Sequence, residues 1–99
     1  MPAFCLSNLA KLDMQVIGRY TQVTWGREQR NLYLQQLDNG FHLLARDPAR
    51  GQQCDDIRPG YRKYPIGRHV VFYRVSDAGV EIVRILHDRM DLPTHMGGG

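Results

Sequence analysis

Cysteine is scarce in this 99-residue chain: Cys5 and Cys54 stand far apart, with no second pair and no CxxC spacing. That excludes a disulfide-built scaffold and a cysteine zinc site, and leaves reduced structural thiols. No apolar run approaches the ~20 residues that span a bilayer. The opening Met1-Pro2-Ala3-Phe4-Cys5-Leu6 lacks the basic start and sustained apolar stretch of a secretory signal. No membrane association is expected, and the expected compartment is the cytoplasm. The four histidines show no metal-ligand spacing, His42 and His95 standing alone, so neither metal nor cofactor is expected.

Arginine greatly outnumbers lysine, so bidentate pairing to carboxylate or phosphate is available at many positions. The formal charge of +3 and pI of about 9.1 lean mildly towards an acidic partner, a solvated basic face being the simpler alternative. A hydrophobic fraction of 42% and a charged fraction of 23% are those of an ordinary globular protein. This length holds one core, hence a single domain over 1–99. Its ordered part is expected from about 4 to 92, and the terminal Met96-Gly97-Gly98-Gly99 is expected to be a flexible end.

Phe4-Cys5-Leu6 can form a short edge strand, after which Ser7 is placed to cap a helix. Apolar residues recur at Leu9, Leu12, Val16, Tyr20 and Val23, in steps of three and four that predict one buried stripe. Gly26 is positioned to end that helix, and a second runs from about Glu28 to Arg46 until Asp47-Pro48 stops it. Its core side carries Tyr33, Leu37, Phe41, Leu44 and Ala45, while Gly40 marks either close approach of another backbone or a tolerated surface position. Together the two make an antiparallel helix hairpin.

From Ala49 to Gly60 a polar, Gly- and Pro-bearing loop leads into three antiparallel strands: Tyr61–Ile66, His69–Val75 and Val80–His87. The predicted fold is α+β, the N-terminal hairpin laid across one face of a small C-terminal antiparallel sheet. The last strand reads as a buried central one whose end releases His87, Asp88 and Arg89. Ile82 and Val83 are both apolar, which implies that the second sheet face is also partly covered, by the tail or by a partner. Arg84, inside this strand, must be paired or reach solvent with its end; the candidate carboxylates are Asp56 or Asp91 within the chain, or one on a partner.

Trp25-Gly26 between two helices, Asp55-Asp56-Ile57-Arg58-Pro59-Gly60-Tyr61-Arg62, Gly67-Arg68-His69-Val70-Val71-Phe72-Tyr73-Arg74 and Val83 to Asp91 carry a resemblance. Together they resemble the ParE toxins of the RelE/ParE toxin–antitoxin superfamily, over about Leu6 to Asp91. The resemblance implies a helix hairpin on a small sheet, a ParD-type antitoxin partner that wraps the toxin, and DNA gyrase as target. Gyrase would be trapped with its DNA cleaved, nucleic acid being engaged only indirectly. The superfamily's RelE branch instead cleaves messenger RNA in the ribosome, which requires a base, an acid and cations on the phosphate.

For that second activity Arg62, Arg84, His87 and Arg89 are the capable residues, with Lys63 beside them; the stretch beyond Met90 has no tyrosine or basic cluster, which departs from the RelE pattern. Binding without catalysis is the expected mode. The target contact is assigned to His87, Asp88, Arg89, Met90 and Asp91, with Trp25 as an exposed anchor or, alternatively, as a core or cap residue. The antitoxin contact is assigned to Leu37, Phe41, Tyr61, Arg62, Tyr64, Arg68, Tyr73 and Arg84. His87 can anchor the tail, touch a partner or titrate near neutrality, and His69 is read as a satisfied strand-end residue.

Overall fold

Ser7 starts the first helix by a local exchange of hydrogen bonds: its Oγ accepts from Ala10 N at 3.0 Å and donates to Val83 O at 2.7 Å. The computed structural model describes residues 3–88. Helix α1 (Asn8–Trp25) and helix α2 (Arg27–Arg46) are joined by Gly26 alone. Its φ of 98° and ψ of 167° lie where only glycine sits without strain, so one residue closes one helix and opens the next. Asp47-Pro48 ends α2, and a short 3-10 turn, Pro48–Arg50, follows.

Five strands form one sheet: β1 (Phe4–Leu6), β2 (Gln52–Gln53), β3 (Tyr61–Ile66), β4 (His69–Ser76) and β5 (Gly79–His87), in the order β1-β5-β4-β3-β2. The expected meander is β3-β4-β5, and the expected edge strand is β1, running parallel to β5. The polar segment expected to be all loop contributes β2, paired antiparallel with β3 through Gln52–Lys63 and Gln53–Arg62. Two glutamines carry no apolar alternation, so nothing in their pattern announces a strand.

The hairpin covers one sheet face, as expected. Leu37, Phe41 and Leu44 of α2 are buried against Val71, Tyr73, Val80, Ile82 and Ile85, each large side chain contributing about 1.5–3 kcal/mol of burial. A Cβ on Gly40 would stand 2.2 Å from Ile66 Cδ1, so this glycine makes room for a side chain rather than for a backbone. The α1 stripe is a correction. Leu9, Leu12, Val16, Tyr20 and Val23 are all exposed, Val23 to 82%, and α1 buries Ala10, Ile17, Gly18 and Thr21 instead. Small residues let this helix approach closely: a Cβ on Gly18 would already lie 3.3 Å from Leu34 Cδ1. The stripe of larger residues is turned to solvent.

β5 changes phase where its register with β4 shifts, Phe72 facing Arg84 and Tyr73 facing Ile82, so that Val83 is an extra residue. Val80, Ile82 and Ile85 therefore face the helices while Leu86 joins Phe72 and Cys54 on the other face. That second face is partly covered by the chain's own Cys54–Gly60 loop, Ile57 packing there, while the tail lies outside the described residues. Burial pushes the Cys54 thiol pKa up, while Cys5 is exposed; both are free. No helix among the described residues is long and apolar enough to cross a membrane.

Candidate functional site

Beyond Leu6 the edge of β5 loses its strand partner, and α1 supplies substitutes. Ser7 N donates to Ile82 O at 2.9 Å, and Asp13 accepts from Ile85 N at 2.9 Å. The same carboxylate takes Arg84 Nε at 2.8 Å and Nη2 at 3.0 Å, both side chains about 15% exposed (16% and 14%). Asp13 is thus the intramolecular carboxylate for Arg84. Asp56 does not fill that role because it sits in the Cys54–Gly60 loop over the opposite face, and Asp91 lies outside the described residues. The bidentate bond raises the Arg84 pKa further, against a smaller opposing effect of burial.

Between α1 and the end of β5 lies a groove of about 890 Å³. Val16, Ile17, Tyr20 and Trp25 line its apolar side, and Arg68, His69, Arg84 and His87 its basic side. Tyr33 of α2 ties the two together. Its hydroxyl accepts from Arg68 N at 3.1 Å and lies 2.5 Å from His69 Nδ1, while the His69 and His87 rings meet edge-on with centroids 5.6 Å apart. Burial, then the neighbouring His87, lowers the His69 pKa; burial raises that of Tyr33. His87 Nδ1 stands 3.1 Å from Asp88 Oδ1, and Asp88 N donates to Arg68 O at 3.1 Å.

This groove gathers residues expected to serve two different partners. Trp25, exposed to 70%, and His87 come from the target set, Arg68 and Arg84 from the antitoxin set. Trp25 is neither core nor cap. Asp88 closes the β5 end, whereas Arg89, Met90 and Asp91 lie outside the described residues. Three antitoxin assignments are corrected: Leu37, Phe41 and Tyr73 are wholly in the core, where their side chains hold the fold and offer no contact surface.

Tyr73 also pins the loop, its hydroxyl donating to Pro48 O at 2.6 Å and accepting from Gly51 N at 2.9 Å. Tyr61 packs on the second face, and Tyr64 lines a separate concavity of about 500 Å³ with Lys63, Phe72, Leu86 and His87. Of the residues weighed for RNA cleavage, Arg84 and His87 share the groove, Arg62 does not line it and Arg89 lies outside the described residues. Arg62 pairs with Tyr73 near one end of β4 and donates to Gly51 O at 2.7 Å, while His87 pairs with His69 at the other end. Among the described residues no three His, Cys, Asp or Glu side chains are placed to hold a metal ion.

Val16, Tyr20, Tyr33 and His69 are groove residues that the sequence pattern assigned to the core or to a strand end. Only the small residues Ala10, Gly18 and Thr21 at a neighbouring offset could have signalled that the larger stripe faces outward.

The family described as the ParE toxin of the type II toxin–antitoxin system parDE matches residues 5–92. Toxin ParE1 of Caulobacter vibrioides is 40% identical over 97 residues, covering 98% of this chain and 100% of that protein. Toxin ParE1 of Mycobacterium tuberculosis is 39% identical over 94 residues, covering 94% and 96% respectively. A solved structure titled as a chromosomal ParDE system from P. aeruginosa superposes with a TM-score of 0.75 at 20% identity, covering 88% of this chain and 96% of that one. That last likeness is one of fold.

Proposed function

The chain belongs to the ParE toxins of type II toxin–antitoxin systems, and we propose that it arrests cells by binding DNA gyrase and trapping its cleaved-DNA complex, without catalysis of its own. The observation that carries a binding mode is the exposed apolar side of α1, from Leu9 to Trp25, running into the groove. A monomer seldom leaves so many large apolar residues in water unless something covers them.

A ParD-type antitoxin, the other component of such modules, is the covering partner in this reading. Its chemistry follows from the surface: apolar residues for Val16, Tyr20 and Trp25, and carboxylates for the basic side of the groove. Since Trp25 and His87 share the groove with Arg68 and Arg84, an antitoxin lying there excludes the target directly. Neutralisation is then competition for one surface, and no separate allosteric step is needed.

Catalysis is disfavoured because Arg62 stands outside the groove that Arg84 and His87 share, and both arginines hold the chain's own acceptors. The test is expression alone and with the antitoxin, followed by gyrase supercoiling in purified components. Growth arrest with lost supercoiling, both reversed by the antitoxin, is expected. Arrest with supercoiling intact overturns the gyrase reading.

A further inference from the structure

The basic corner of the groove contains more protonatable and cationic groups than the fold itself consumes. Asp13 of α1 is committed to Arg84 and Ile85 N. Asp88 lies beside His87 at the end of β5. Arg68, in the turn between β3 and β4, has no side-chain hydrogen bond or ion pair among the described residues. The Tyr33 hydroxyl lies 2.5 Å from His69 Nδ1; where it donates there, the His69 hydrogen sits on Nε2, an atom without a partner among the described residues.

We propose that Arg68 and His69 form a carboxylate receptor, filled by an acidic side chain of the antitoxin segment lying along α1, and that filling it draws a proton into the complex. The inference rests on the antitoxin reading above. Charge complementarity selects this occupant: the corner offers the Arg68 guanidinium and the His69 imidazole, and its two carboxylates, Asp13 and Asp88, already have partners within the chain. A second copy of this chain, bearing the same excess of +3, would bring cations to cations.

In the free toxin, burial and His87 favour the neutral His69 ring. An arriving carboxylate favours the charged form of His69, so the complex binds more protons than its separated parts. Tyr33 accommodates the change. When His69 gains its second hydrogen, Nδ1 donates to the Tyr33 oxygen, and the hydroxyl hydrogen turns towards Ile66 O, 3.5 Å away. The turn carrying Arg68 stays tethered throughout by Arg68 N.

The experiment measures the dissociation constant of purified toxin and antitoxin by calorimetry at pH 8, 7 and 6, with histidine titrations by NMR in free and bound toxin. Affinity is expected to tighten about tenfold over this range, one proton per site contributing at most tenfold per pH unit. The His69 pKa rises in the complex. Arg68→Gln, at an exposed position, weakens binding about tenfold at pH 6, and His69→Asn flattens the pH dependence. Tight association that is flat with pH, or a His69 pKa unchanged on binding, overturns the receptor while leaving the antitoxin reading intact. No association at any pH overturns both.

Discussion

Replacing Asp13 by alanine removes three hydrogen bonds at once: those from Arg84 Nε, Arg84 Nη2 and Ile85 N. The ion pair is about 15% exposed (16% and 14%), which places it nearer the buried than the surface class. Breaking a fully buried pair from one side costs about 3–5 kcal/mol, because the surviving charge is stranded. Arg84 also lines the groove and can swing its head towards water, which lowers the penalty. Stranding Ile85 N adds about 1 kcal/mol, since β1 has ended and offers no replacement acceptor. The expected loss is about 3 kcal/mol. For a domain of this size each kcal/mol lowers Tm by about 4–8 °C, so the drop is large. Asp13→Asn, which keeps an acceptor for Ile85 N but loses the charge, is expected to cost about half as much. Urea unfolding with an unchanged m-value is the assay. A loss below about 1 kcal/mol for the alanine variant refutes the idea that α1 closes the open edge of β5.

Trp25→Ala, at an exposed position, is expected to change stability by less than about 0.5 kcal/mol while weakening the bound partner by about 2 kcal/mol, roughly 30-fold; equal loss in both assays contradicts the anchor role. Gly51→Ala places a Cβ 2.3 Å from the Tyr73 hydroxyl and 2.9 Å from Lys63 O, so denaturation should show about 1–3 kcal/mol of overpacking. His69 has a lowered pKa in the folded chain. The unfolded chain therefore binds the extra proton first: this contribution is complete above about pH 6.5 and is lost as pH falls towards the folded value. His69→Asn should reduce the decline in free-toxin stability between about pH 7 and pH 5, and an unchanged slope counts against the burial of the ring.

The helix hairpin, its single-glycine joint and the three long strands were legible because each follows local periodicity and turn chemistry, as with Ser7, Gly26 and Asp47-Pro48. The orientation of α1 was not. Spacing of three and four identifies a face but not its direction, and Leu9, Leu12, Val16, Tyr20 and Val23 form a regular stripe whether they meet a sheet or water. The decisive information was tertiary: α2 and β5 require small residues at the contact, so Ala10, Gly18 and Thr21 turn inward. The bulge at Val83 was hidden for a similar reason, since it explains adjacent apolar residues on β5 only once β4 is in place. Of the site, Trp25, Arg68, Arg84 and His87 were identified separately, but their convergence depends on the Asp13 and Tyr33 contacts, which join positions distant in sequence.

Purified gyrase, negatively supercoiled DNA and toxin, with and without antitoxin, give the most direct measurement of the central claim. Cleaved DNA should accumulate with the native chain, fall sharply with Trp25→Ala and disappear when antitoxin is added first. Messenger RNA cut at defined sites in a ribosome-containing reaction, with gyrase turning over normally, would contradict it.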